Sequence, residues 1–402
     1  MEIPSVQPAA EANPKTASSF ATLHWALILV SLSFGILNFV LPVYGKEVGA
    51  SAVEIGMLFS SFSLMSIVLR PLVGLGLDRY GRRWFLTGGL AVSGLAMVSF
   101  AYSTSIWGLV TARTLQGVAS ALLTLAASAI VADLARVDQR GKSFGAISQS
   151  MNQGAIAGTF IGFTVLFSQG IQVGWPALFL FYAAGCGLSA LIAWRRMPET
   201  RFAVQTKDQT SLITGLRAVL HSRSLLVLMI VGMITGASSA MISPVLMIFL
   251  QEKFQADIGT LAWAFLPSAI VWATLPTRLG KLADRFGRKP LMVLAMFAAA
   301  VDMLLIPSLG SLVALAVLWV IEAVCFAASD PAGQALVTDL TDKDQRGRVF
   351  GIYAFSSSLG AVIGPLAGGW LYDSFSQAAP FYVNGMVLAI CAGVLWFLLK
   401  EK

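Results

Sequence analysis

The stretch "GLGLDRYGRR" (74–83) returns as "GKLADRFGRK" (280–289), 206 residues further along a chain of 402. The sequence is 57% hydrophobic and only 12% charged, so a charged phrase written twice needs a cause. The repeat extends beyond it. "DLARVDQRGKSFG" (133–145) answers to "DLTDKDQRGRVFG" (339–351) at the same offset, and Gly154, Gly158 and Gly162 answer to Gly360, Gly364 and Gly368. An ungapped repeat of this reach identifies two copies of one ancestral unit.

The mean hydropathy of +0.78 exceeds what a water-soluble core and surface can share. Apolar stretches long enough to cross a hydrocarbon layer of about 30 Å fall at 23–45, 53–77, 84–103, 106–132, 143–167, 176–194, 224–250, 258–278, 290–309, 311–335, 349–371 and 380–399. Prolines inside them (Pro42, Pro71, Pro244, Pro267, Pro276) argue against long strands and a barrel. The expected fold class is an all-α membrane protein of twelve transmembrane helices in two pseudo-symmetric six-helix bundles. Its expected parts are a cytosolic tail (1–22), a first bundle (23–194), a polar linker (195–223) and a second bundle (224–402).

Charge placement sets the orientation. Of the 27 lysines and arginines, Lys46 and Lys253 fall at the opposite ends and Arg113 lies within an apolar stretch; all the others fall in the tail, the linker, the even-numbered loops or the helix ends beside them. That asymmetry predicts cytosolic termini and cytosolic repeated loops. It also accounts for the net charge of +7 without a nucleic acid. The first 22 residues lack the basic start of a secretory signal. Cys186, Cys325 and Cys391 are scattered through apolar segments with neither disulfide nor zinc spacing, so they read as packing residues. His24 and His221 fall at or outside helix ends and read as interfacial.

The doubled phrase resembles the loop signature of the major facilitator superfamily, Gly-x-x-x-Asp-Arg/Lys-x-Gly-x-Arg/Lys-Arg/Lys, and "LVTARTLQG" (109–117) is similar to that family's fourth-helix motif. The branch most resembled is the twelve-helix drug:proton antiporters. The resemblance implies the major facilitator fold, alternating access, and an inner gate made of Gly74, Asp78, Arg79, Gly81, Arg82 and Arg83 with Gly280, Asp284, Arg285, Gly287, Arg288 and Lys289. In that gate Gly81 and Gly287 would supply turn angles and Gly74 and Gly280 close approach, while Asp78 and Asp284 would meet arginines or helix amino-terminal ends. One departure stands out. The branch's fifth-helix glycine-proline motif is incomplete at "GAIAGTFIGF" (154–163) and intact as "GAVIGPLAGG" (360–369), in the eleventh helix.

Coupling to an ion needs a titratable group inside the bilayer, where charge is costly and therefore faces a cavity or a partner. The first half offers Arg113; the second offers Asp302, Glu322 and Asp330. Glu322, the repeat counterpart of Gln116 and one turn from Arg113's counterpart Trp319, is the leading proton site; Asp330, which precedes Pro331, reads either as a relay or as a helix-end or kink residue, and Arg113 either as a modulating charge or as a structural one. A static ion pair or hydrogen-bonded carboxyl is the alternative reading of Glu322. Asp302, on a helix that is peripheral in the family, reads as mostly structural. On the helices that line the family's cavity or stand beside them, the polar candidates are Asn38, Gln149, Asn152, Gln153, Ser239, Ser243, Gln334 and Tyr353. Set among Phe, Met and Leu, they suit an amphipathic small molecule better than a sugar.

The expectation is a proton-coupled exporter of such compounds, working as a monomer in a bacterial plasma membrane with protons and lipid as its other partners, and needing no cofactor or metal. The alternatives are a symporter or uniporter importing a metabolite, and a non-transporting sensor or embedded enzyme. No histidine or cysteine cluster and no nucleophile with an identifiable base supports an enzyme.

Overall fold

The computed structural model describes residues 14–135, 140–200, 223–274, 288–339 and 346–398. Among these the regular structure is helical. The first half holds α1 (Pro14–Glu47), α2 (Ala52–Val68), α3 (Arg70–Tyr80), α4 (Arg82–Tyr102), α5 (Ile106–Leu134), α6 (Arg140–Gln169) and α7 (Ile171–Arg196). The second holds α8 (Arg223–Ile242), α9 (Leu246–Phe254), α10 (Ile258–Thr274), α11 (Arg288–Leu305), α12 (Leu312–Asp339), α13 (Arg346–Ser374) and α14 (Ala379–Leu398). Eight helical stretches among the described residues are long and apolar enough to cross a membrane. Large apolar side chains such as Phe160, Trp263 and Phe397 are exposed on the protein surface, as an apolar solvent allows.

Local sequence explains the breaks. Pro71 sits in the first turn of α3, where its missing N–H and its ring interrupt the helix, so one apolar stretch becomes α2 and α3 joined at Leu69. Pro244 falls between α8 and α9 in the same way. Ser51 opens α2 with a capping box: its hydroxyl accepts from the Glu54 N–H at 3.3 Å, and its own N–H donates to the Glu54 carboxylate at 2.9 Å. Gly81 joins α3 to α4 at φ +94°, a conformation that disfavours side chains. The first helix starts at Pro14, ahead of the apolar stretch at 23, so His24 lies within it, half-buried, with Nδ1 2.6 Å from the Ser150 hydroxyl of α6.

Two glycine ladders set the packing. Gly154, Gly158 and Gly162 lay α6 on α1, and a Cβ at Gly158 would overlap the backbone of Leu32. Gly360, Gly364 and Gly368 lay α13 on α8 in the same manner, against the backbone at Met233, Ala237 and Met241. The repeat also survives in ring contacts. Arg113 lies over Phe59 at 4.8 Å, and the residues 206 positions on, Trp319 and Phe265, stack at 4.0 Å.

The halves meet where α2 crosses α13. Gly56 rests on the backbone of Pro365, Gly369 rests on that of Ala52, and the Ser60 hydroxyl donates to the Val362 carbonyl at 2.6 Å. The departure in the fifth helix thus falls away from this crossing, and the intact glycine-proline motif falls on it.

Candidate functional site

The helix order gives the molecule two ends: a signature end carrying residues 74–83, and a far end carrying the close of α1 and all of α9. At the far end the halves are tied together. Lys46 of α1 forms an ion pair with Glu252 of α9, and these are repeat counterparts, 206 positions apart and opposite in charge. Tyr372 and Gln377 donate to the same Glu252 carboxylate at 2.9 and 2.6 Å. Asp373, near the end of α13, accepts from the N–H groups of Ala52 and Val53 at 3.2 and 2.9 Å, capping α2 across the seam.

Lys46 and Glu252 are partly exposed, so the pair biases this closure by no more than about 1 kcal/mol. Lys46→Glu replaces attraction by repulsion and is expected to populate conformers open at the far end; adding Glu252→Lys restores closure. Spin labels at Ala50 and Gln255 read this as a longer distance that appears in the single variant and recedes in the double one. An unchanged distribution in both would remove the pair from the gate.

At the signature end, the loop's contacts among the described residues include several within its own half. Arg82 is buried, and its Nε donates to Asp133 at 3.0 Å while Nη1 donates to the Leu77 carbonyl at 3.0 Å. Glu199 accepts from the N–H groups of Arg82 and Arg83 at 2.8 and 3.2 Å, a carboxylate at the start of α4. Arg83 also donates to the Trp194 carbonyl, and Arg79 lies over the Tyr80 ring at 5.4 Å. A Cβ at Gly74 would meet nothing within 4 Å, so the close approach expected there is not made in this conformation. In the second copy, Gly280, Asp284, Arg285 and Gly287 lie outside the described residues, as do the side chains of Asp78 and Arg288. Lys289 lies 5.4 Å from the Trp396 ring.

Between the ends, an aromatic row crosses the seam. Phe163 meets Phe39 at 5.8 Å, Phe39 meets Phe265 edge-on at 4.9 Å, and Phe265 stacks on Trp319. On the far side of this row, between α6 and α10, opens a cleft of about 400 Å³ whose walls include Glu47, Phe163, Phe167, Gln251 and Asp257. Hydrogen bonds from Thr260, by side chain and backbone, hold Asp257 below the usual carboxylate range, so the cleft keeps a negative rim at neutral pH.

Glu322 stands one turn from Trp319 on α12, and its carboxyl reaches not Arg113 but Asp302 of α11. Asp302 is fully buried, and no donor reaches either of its oxygens. Arg113 is buried elsewhere: Nη1 donates to Gln116 at 2.8 Å, the guanidinium lies over Phe59 and Phe62, and Nε and Nη2 have no partner. The side chains of Asp330 and Gln334 lie outside the described residues.

Of the other polar candidates, Asn38, Gln149, Asn152, Gln153, Ser239 and Ser243 are exposed. The three on α6 point away from the glycine ladder that packs on α1. Tyr353 is half-buried, with its ring against Gly232 in the α8–α13 contact. Sequence reasoning missed Phe39, Phe265, Asp373, Glu199 and the place of Asp302. Only the last left a signal: Asp302 and Glu322 are carboxyls in successive apolar stretches of the same half.

The Major Facilitator Superfamily family model matches residues 23–274 and 228–402. The chain is 27% identical over 388 residues to Multidrug resistance protein 2 of Bacillus subtilis, covering 94% of each chain. It is 24% identical to the multi-drug resistance efflux pump PmrA of Streptococcus pneumoniae, covering 87% of this chain and 88% of that one. Among solved structures it resembles the nucleoside transporter NupG (TM-score 0.77, 12% identity, 97% and 100% of the two chains). It also resembles a bacterial homolog of the human lysosomal transporter Spinster, inward-facing and occupied (TM-score 0.77, 15% identity, 96% and 97%). Both structural likenesses bear on the fold. The doubled signature, the paired glycine ladders, the fold and the family match agree: the chain belongs to the Major Facilitator Superfamily and is a membrane transporter of small molecules.

Proposed function

We propose that the chain exports small amphipathic or lipophilic compounds in exchange for protons. Its halves, 23–194 and 224–402 with the linker 195–223 between them, rock about the aromatic row in a monomer. In this reading the signature end and both termini face the cytosol of a bacterium, the far end faces outward, and the conformer described here is closed to the outside. The observation that carries the proposal is a carboxyl within the apolar part of α12, Glu322, one turn from the aromatic row at the seam. An apolar, ring-lined path with few hydrogen-bonding groups fits a lipophilic body, and the acidic cleft beyond it fits a cationic group on its way out. The relatives named as multidrug resistance proteins support the same substrate class.

Gln149, Asn152 and Gln153 would contact substrate from α6, Asn38 from α1, Ser239 and Ser243 from the second half, with Gln334 and Tyr353 beside them. Asp330 would relay the proton released from Glu322, and Arg113, held by Gln116 in this conformer, would act on Glu322 only in another state of the cycle.

In everted membrane vesicles with an acidic lumen, the chain is expected to concentrate a lipophilic cationic dye in the lumen and to release it when a protonophore collapses the gradient. Accumulation that ignores the protonophore, or that needs an alkaline lumen, would overturn proton-driven export.

A further inference from the structure

The second half holds two carboxyls against each other inside the membrane, and the proposed cycle uses only one of them. Asp302, three residues from the end of α11, is fully buried, with both oxygens out of reach of any donor. Among the described residues the group that faces it is the Glu322 carboxyl. Among the described residues the salt bridges are Lys46 with Glu252 and Arg82 with Asp133, and neither touches the pair.

Among the described side chains, the surroundings offer no counter-charge. On α12, Cys325 is the other titratable group near Glu322, and the Asp330 side chain lies outside the described residues. α10, packed on α12, carries no titratable side chain, and α14, packed on α11, carries Tyr382 and Cys391. Toward the far end, Lys253 donates to the Pro307 carbonyl beyond the end of α11.

Two carboxylates in contact, in a low dielectric and without a cation, cannot both be ionised. A proton placed between them relieves the repulsion and supplies the donor that Asp302 lacks. We propose that Asp302 and Glu322 hold one proton between them and that this shared proton is the one exchanged for substrate, with Asp302 as a positioning residue that ties its release to separation of the pair. Breaking the O–H bond sends the proton to water and leaves two adjacent carboxylates. That state is tolerable only once the pair has opened or water has entered. Release is therefore gated by movement of α11 against α12.

The proposal rests on Glu322 as the proton carrier, and the test separates the two. In proteoliposomes, Asp302→Asn is expected to reduce gradient-driven accumulation at least about tenfold, the loss that follows from about 1.4 kcal/mol of lost coupling. The pH midpoint of gradient-free substrate exchange should move about one unit or more toward acid, because the amide donates to Glu322 and the like charge is gone. Asp302→Glu, which keeps two carboxyls, should recover most of the accumulation. If Glu322→Gln uncouples transport while Asp302→Asn accumulates substrate with an unchanged pH profile, the pair is overturned and the Glu322 reading stands. If Glu322→Gln still transports uphill, the underlying reading falls.

Should Asp302→Asn fail to fold, infrared titration of the unmodified protein decides. The carbonyl stretch of a protonated carboxyl should persist after the exposed carboxylates have ionised, and its absence at neutral pH would overturn the shared proton.

Discussion

Glu322→Gln is expected to bring proton-driven accumulation down to the level of protein-free liposomes while leaving substrate binding and downhill exchange within about threefold of the unmodified protein. The amide keeps the size of the side chain and can still donate to Asp302, so the α11–α12 contact that buries both groups is retained. What it cannot do is lose a proton. A carrier fixed in its proton-bound form can still pass substrate between the two faces, but the gradient no longer does work on it. Binding measured by fluorescence and exchange measured under equal pH on both sides should therefore survive, and concentration against a gradient should not. Wild-type accumulation in this variant would move the proton site elsewhere, with Asp330 next in line. A protein that does not reach the membrane folded would mean that Glu322 is a structural tie and no more.

Gly158→Ala is expected to be among the most damaging single-methyl additions in the chain. A Cβ there would overlap the backbone oxygen, carbonyl carbon and Cα of Leu32, none of which can rotate aside, so α6 must lift off α1. Overpacking of this kind costs about 1–3 kcal/mol where side chains can adjust, and here it should reach or exceed the upper end. Gly187→Ala in α7 is the matched control: its Cβ would meet nothing within 4 Å, and helix propensity favours the alanine by up to about 1 kcal/mol. Thermal unfolding of the two purified proteins in detergent should show a lower midpoint for the first and an equal or higher one for the second. Equal midpoints would mean that the α1–α6 contact is looser than the glycine ladder requires.

The two proteins differ by the same atoms at two glycines, and only the neighbour decides the outcome. That contrast also marks what the sequence makes legible. The repeat places Gly154, Gly158 and Gly162 opposite Gly360, Gly364 and Gly368, and each ladder does pack its helix on a partner. Periodicity and hydropathy locate the helices to within a few residues in most cases, because each must be apolar over a length the bilayer dictates. The exceptions are physical. α1 begins at Pro14, where apolar character has already ended, and α2 and α3 divide one stretch because of Pro71.

Contacts between the halves were less legible, since they join residues hundreds of positions apart with no local signature. Nothing in the sequence pairs Asp373 with the start of α2, and Lys46 with Glu252 is suggested only in hindsight, by opposite charges at equivalent repeat positions. Glu322 was visible as a carboxyl in an apolar run. Its neighbour Asp302 reads as structural from the sequence because its helix is peripheral in the family, although a peripheral helix can still turn one side chain inward. Arg113 illustrates the converse: the repeat relates it to Trp319, beside Glu322, yet its guanidinium bonds Gln116 and lies over two phenyl rings within the first half, with Nε and Nη2 left without a partner.

The direction of proton movement tests proton-for-substrate exchange most directly. In proteoliposomes with a trapped pH indicator and equal pH on both sides, an outward gradient of a transported lipophilic cation should drive protons inward, acidifying the lumen. Glu322→Gln should abolish that signal while the cation still leaves. Protons moving outward with the cation, or a lumen whose pH does not change while the cation crosses, would contradict the account.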